Sequence, residues 1–245
     1  MIDIKLKYQA TIFVNAEDII PSPDIINSLM ETFRDKALIP NTFQQIGPSA
    51  SAPTVRLRLS TSDNEWVISF ATHRIDIDRN PTNPKGSNLG EISDFCLNAT
   101  ELFERILKKY TKRANRLGLN NNSLLQEMTP SQLDNVHSKL FISPQFYKDN
   151  PSFEWNWRSV AQYPIEISSL MDKLNVVTVI KRVRGEITAG SGVSEFDRIQ
   201  FSLDINTTDL NNDYRFELAH IKDYFPKASE LHNKLSTDIQ EYINA

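Results

Sequence analysis

The chain has 245 residues, of which 40% are hydrophobic, 24% charged and 9% aromatic. This composition is typical of a globular protein and excludes a disordered or fibrous chain. Lys and Arg number 27 against 31 Asp and Glu, so the formal net charge is -4. That balance argues against a protein held on nucleic acid or anionic lipid by bulk charge.

The sequence predicts a cytoplasmic protein without a membrane segment. Its longest apolar run, residues 176–180, is far shorter than the ~20 residues that cross a bilayer. Residues 1–8 alternate Ile and Leu with Asp and Lys, which is not the pattern of a secretory signal. The single cysteine, Cys96, cannot form an internal disulfide, in agreement with a reducing compartment.

Apolar spacing predicts four strands and two helices in the first half of the chain. The expected elements are a strand over 4–14, a helix over 23–37, strands over 55–59, 66–70 and 74–78, and a helix over 95–117. The first helix has Ser22 as its N-cap and Pro23 at its first position. A polar loop over 80–90 precedes the long second helix, which Gly118 is expected to close.

The second half predicts a similar series. The expected elements are a short helix opened by Thr129 and Pro130, strands over 153–158, 175–184 and 198–206, and a helix over 226–243. The polar tract 120–123 lies between two periodic segments and predicts a boundary. The expected units are therefore an N-terminal half, 1–119, and a C-terminal half, 120–245.

Two segments suggest that these halves are related. Residues 74–78 and 201–206 each end a last strand with alternating apolar and acidic or amide residues, and each precedes a loop and a helix. We therefore expect an α+β protein of two similar halves, each an antiparallel sheet with helices packed on it. The strands do not alternate with helices as a doubly wound parallel fold requires.

The segment from Val55 to Pro81, followed by a loop and the helix from Phe95 to the Arg-Leu-Gly-Leu sequence at Leu119, resembles a sporadically distributed bacterial family of similar length. Its members are largely uncharacterised. The resemblance rests on apolar spacing and carries no catalytic signature. It implies an accessory component of a mobile-element or defence system, and it assigns no functional residue.

Candidate metal ligands are the carboxylates Asp76 and Asp78, which an extended strand places on one face about 6–7 Å apart. Such a pair could share Mg²⁺ or Mn²⁺, with Asp204 as a further acid. Arg74 and Arg79 could equally neutralise both acids on a solvated strand face. The zinc signature His-Glu-x-x-His, the nucleophile elbow and the glycine-rich phosphate loops do not occur, so the sequence predicts no cofactor.

A basic strip on the long helix is a candidate for phosphate contacts. Its members are Lys108, Lys109, Lys112, Arg113 and Arg116. The alternative is an ordinary solvated helix face, because cations are favoured near a helix C-terminus.

Three aromatic residues, Phe153, Trp155 and Trp157, alternate with polar residues along one predicted strand. Large rings on one strand face form a core when a helix covers them and a partner-binding surface when they are exposed.

The sequence as a whole favours a non-enzymatic interaction or regulatory component that binds a partner protein, with a homo-oligomer as a further option. The alternatives are a nucleic-acid-associated protein that uses the basic strip, and a metal-dependent enzyme built around the aspartates.

Overall fold

The computed structural model of the chain describes residues 2–46, 52–83, 89–189 and 192–244. In these residues, nine strands and five α-helices are present. The strands are β1 (Ile2–Phe13), β2 (Ile39–Gln45), β3 (Thr54–Ser60), β4 (Trp66–Ala71), β5 (Arg74–Arg79), β6 (Arg116–Leu125), β7 (Trp155–Ile167), β8 (Leu170–Ala189) and β9 (Gly192–Thr207). The helices are α1 (Pro23–Thr32), α2 (Ile92–Tyr110), α3 (Pro130–Leu140), α4 (Gln145–Asp149) and α5 (Leu218–Asn244), and a 3-10 turn spans Arg34–Lys36.

All nine strands belong to one sheet, in the order β2-β3-β4-β5-β1-β6-β9-β8-β7. Every pair of neighbours is antiparallel. The expected α+β class with an antiparallel sheet is confirmed. The two halves of the chain meet at the central pair, where β1 runs beside β6.

The helices cover one face of this sheet. Ala10 and Ile12 of β1 point to that face and are fully buried, whereas the alternate residues of β1 are largely polar. The long helices α2 and α5 pack together over the central strands, where the rings of Phe103 and Phe225 stack at 5.5 Å. The Tyr224 hydroxyl donates a 2.6 Å hydrogen bond to the Ile205 carbonyl and so joins α5 to β9.

The long helix ends earlier than its apolar stripe predicts. Thr111 takes the left-handed conformation, with φ of 42°, and its N–H donates to the Leu107 carbonyl. The chain then reverses, and Leu117 becomes an inward residue of β6 instead of the last turn of a helix. The expectation of a helix to Gly118 was therefore wrong.

The polar tract 120–123 forms the middle of β6. Asn121 and Ser123 are almost completely buried, and Asn121 Oδ1 accepts a hydrogen bond of 2.9 Å from the Leu203 N–H. The polarity of this tract therefore arises from hydrogen bonding within the sheet. The predicted boundary between residues 119 and 120 lies within this central strand.

Other expected elements differ at their ends. α1 stops at Thr32, β2 follows in a region where no strand was expected, and α5 begins at Leu218 with Pro226 inside it. Of the polar loop predicted over 80–90, residues 84–88 lie outside the described residues. Among the described helices, none combines the length and apolar character that a bilayer crossing requires.

Candidate functional site

The strand β7 forms one edge of the sheet, so its outer side has no strand neighbour among the described residues. All residues from 158 to 164 are exposed, including Val160 at 47% and Tyr163 at 50%. Because successive side chains point to opposite faces, this run is open on both faces of the strand. A long open edge of this kind is a template for a further strand.

The local sequence suits an unpaired edge. Pro164 has no backbone N–H to contribute to a ladder, and proline within sheets occurs at edges. Residues 159–162, Ser-Val-Ala-Gln, carry no charge, although edge strands are commonly protected by charged side chains. The opposite edge, β2, has 7 residues against 13 in β7, so β7 offers the longer template.

A groove of about 430 Å³ lies between β7 and α5. Its apolar surface includes Tyr163 and Leu174 from the sheet and Leu231 from the helix, and Glu230 and Lys234 of α5 add charge. A segment paired with β7 would direct every second side chain toward this groove.

Exposed apolar side chains precede β7 in the chain. Phe146 is 67% exposed and Tyr147 is 49% exposed, with their rings in an edge-on arrangement at 5.3 Å. A second depression of about 410 Å³ lies there and includes Phe141 and Ile142. The surface around β7 therefore combines an open backbone edge with apolar side chains.

The predicted aromatic residues have three different environments. Trp155 is buried and lies edge-on to Phe141 at 5.7 Å, so α3 and its C-terminal cap cover it. Trp157 is partly buried against the same cluster. Phe153 is 66% exposed and is the one of the three most available to a partner.

The candidate metal ligands are held by neighbouring side chains. Asp76 is buried and accepts hydrogen bonds from Thr11 Oγ1 at 2.7 Å and Arg74 Nε at 2.8 Å. Burial raises the pKa of the Asp76 carboxyl, while Arg74 acts in the opposite direction. Asp78 accepts a bond from Gln9 and forms an ion pair with Lys7 at 2.9 Å. Both carboxylates thus have partners on the polar face of the sheet.

Asp204 does not converge with this pair. It lies on β9, in register with Asn120 of β6 and, through Gln9 of β1, with Asp78 of β5. Three strand spacings separate Asp204 from Asp78, which places the two backbones about 14 Å apart. In the part of the chain that the structure describes, no group of three or more His, Cys, Asp or Glu side chains could hold a metal ion.

The basic strip is divided between α2, its C-terminal connection and the start of β6. Four of its five members contact acidic residues: Lys108 with Glu104, Lys112 with Asp18, Arg113 with Glu217, and Arg116 with Asp209. Arg116 Nε also donates to Asn206 Oδ1 at 3.0 Å. These contacts offset much of the positive potential that phosphate binding would require.

Cys96 lies on the inward face of α2 and is 1% exposed. Burial raises the pKa of its thiol to about 12, so the reactive thiolate is suppressed at neutral pH. The burial of Cys96 agrees with its apolar neighbours in the sequence, Phe95 and Leu97.

The chain was compared with models of protein families, with curated proteins and with solved structures, and no match was found in any of the three.

Proposed function

We propose that this protein is a non-enzymatic interaction component that binds an extended segment of a partner protein along the outer edge of β7. The observation that carries the proposal is the seven-residue exposed run 158–164 on an edge strand of 13 residues. Strand addition supplies affinity through backbone hydrogen bonds, and side-chain grooves supply specificity. The groove beside α5 and the exposed Phe153 give the partner's side chains apolar surface to contact.

The arrangement of the sheet also supports the outer edge of β7 as the binding site. The order from the centre outward is β1, β5, β4, β3 on one side and β6, β9, β8, β7 on the other. We infer that these are two similar halves, because each begins with a central strand, returns through a meander and ends in a long helix. On the first side, β2 continues the sheet beyond β3. The corresponding position beyond β7 is where the partner's strand would pair.

The setting of the proposal combines two expectations from the sequence: a cytoplasmic location, and the role that the resemblance implies, an accessory subunit of a bacterial mobile-element or defence system. The paired carboxylates and the ion-paired basic strip support the metal-enzyme and nucleic-acid alternatives less well. The edge of β7 needs no rearrangement of paired charges to accept a ligand.

The test uses charge to block strand addition. Val160→Lys with Ala161→Lys adds two cations to the exposed middle of β7, and such charges prevent edge pairing. The matched control is Thr42→Lys with Gln44→Lys, which places the same charges on exposed positions of β2. Each version of the full chain is co-expressed with the products of the genes encoded beside it and analysed by size-exclusion chromatography.

The unmodified chain and the β2 variant are expected to co-elute with a neighbouring gene product, and the β7 variant to elute alone with unchanged circular dichroism. Equal co-elution of all three chains would place the interface elsewhere. If every version of the chain elutes as a monomer, the interaction role itself is refuted. A dimer of this chain that only the β7 variant loses would show that a second copy occupies the edge.

A further inference from the structure

A polar cavity of about 290 Å³ lies between α5, the strands β1 and β6, and the start of α2. The inward positions of β6 read Leu117, Leu119, Asn121, Ser123 and Leu125, so two polar residues interrupt an apolar row. Opposite them, α5 presents His232 and Ser236 one helical turn apart. We call this space the His232 cavity.

The polar walls of the His232 cavity are deeply buried. Asn121 and Ser123 are 1% exposed, His232 is 5% and Ser236 is 6%. Burial of such groups costs free energy unless each of them has a hydrogen-bond partner. Each of the four side chains around this space therefore needs a hydrogen-bond partner.

The four side chains differ in their hydrogen bonding: Asn121 and Ser123 have partners, whereas His232 and Ser236 each have an unpaired atom within the described chain. Asn121 donates to Ser123 Oγ at 3.3 Å, and His232 Nδ1 lies 3.3 Å from Asn233 Oδ1. His232 Nε2 and Ser236 Oγ are buried without a hydrogen-bond partner among the described residues. Burial of an unpaired polar group costs free energy, so a molecule that pairs with both atoms would gain affinity from groups that the fold leaves unsatisfied.

The charges at the cavity rim cancel. Lys5 and Glu91 both line the space and form an ion pair at 3.3 Å, and the Lys5 ammonium also donates to the Gly90 carbonyl at 2.6 Å. Burial lowers the pKa of His232 to about 4, which keeps its imidazole neutral near pH 7. A ligand with net charge would therefore find no compensating charge.

The size of the His232 cavity limits the ligand. A water molecule takes up about 30 Å³ of liquid, so the space equals about ten waters, and it is at the lower end of known ligand pockets. We propose that the His232 cavity binds a small molecule without net charge that is rich in hydroxyl and amide groups. A polar amino acid, a monosaccharide and a nucleobase share this chemistry.

The test is isothermal titration of the full chain with L-glutamine, L-serine, D-ribose, D-glucose and cytosine, each up to about 10 mM. At least one of these probes is expected to bind with Kd below about 1 mM, and the probe that binds identifies the source of the ligand. Because both unpaired atoms are shielded from bulk water, binding requires the side chains to turn toward the ligand. The ring NMR signals of His232 should therefore shift on titration.

Ser236→Ala and His232→Leu are expected to weaken binding at least about tenfold. The matched control is Ser229→Ala, also a buried serine of α5, whose hydroxyl donates to the Pro226 carbonyl outside the cavity. Circular dichroism establishes that each variant is folded. The proposal is overturned if none of the five probes binds, or if Ser236→Ala and Ser229→Ala change the affinity equally.

Discussion

The buried His232 makes the stability of the folded protein dependent on pH. Its imidazole has a pKa of about 4 in the folded state against 6.5 when free, because burial penalises the charged form. Above pH 6.5 both states hold a neutral ring, and the full stability is present. As the pH falls from 6.5 to about 4, the unfolded chain binds a proton that the folded protein does not. This difference removes about 3 kcal/mol of stability.

Replacement of His232 by Leu should remove that loss. Near pH 7 we expect His232→Leu to keep the free energy of unfolding within about 1 kcal/mol, because it deletes an unpaired buried nitrogen and retains apolar volume. Near pH 4 it should exceed the unmodified chain by about 3 kcal/mol. Burial raises the pKa of Asp76 and Asp204 and gives these groups the opposite pH dependence, but they are common to both proteins and cancel in the difference.

The assay is urea unfolding followed by circular dichroism at several pH values from about 7 to about 4, with the free energy extrapolated to water. His73→Gln removes a histidine from an exposed turn and controls for the loss of one titratable group. Parallel stability curves for the unmodified chain and His232→Leu would refute the reasoning, because they would show that His232 gains its proton equally in both states.

Two further predictions concern buried groups. Cys96 should react with a thiol reagent at a rate limited by unfolding, since its thiolate is suppressed; fast reaction in native buffer, monitored by absorbance, would contradict its burial. Arg56, which is 2% exposed, donates to the carbonyls of Phe70, Glu17 and Ala16. Arg56→Met should lower the free energy of unfolding by about 3 kcal/mol in urea titration, because three carbonyls lose a charged donor; a change under about 1 kcal/mol would show that they find other partners.

Local signals in the sequence predict elements well where the cause is itself local. Ser22 and Pro23 mark the start of α1 because the Ser22 side chain accepts from the Ile25 N–H and proline needs no donor there. Thr129 opens α3, as the sequence predicts, and it does so through a reciprocal capping box with Gln132. These interactions span a few residues, so the sequence pattern contains all the information that they need.

The end of α2 and the interior of β6 depend on distant contacts. Nothing near Thr111 forbids another helical turn, and its left-handed conformation accompanies pairing of Ala114 with Phe216, far along the chain. Asn121 resembles a loop residue in sequence, yet it is satisfied by the Leu203 N–H of β9. A polar residue whose partner lies on another strand cannot be distinguished from a loop by periodicity alone.

The candidate sites could not be predicted for the same reason, because they depend on contacts between distant parts of the chain. Whether β7 is an edge depends on the order of nine strands, and Pro164 is the local signal that favours an edge position. The sequence does contain a local signal for the His232 cavity. His232 and Ser236 interrupt an inward stripe that includes Leu235 and Ile239, and a polar pair one turn apart on a buried face indicates a polar environment opposite.

The halves predicted at 1–119 and 120–245 can be tested as units of unfolding. β1 of the first half pairs along its length with β6 of the second, and Phe103 of α2 stacks on Phe225 of α5. The sheet and the helical layer are both continuous across the boundary between the two halves. We therefore expect calorimetry to show one unfolding transition, with equal calorimetric and van't Hoff enthalpies. Phe103→Ala should lower the stability of that single transition by about 3–5 kcal/mol. Independent halves would instead give two transitions, of which Phe103→Ala would shift one and leave the other in place.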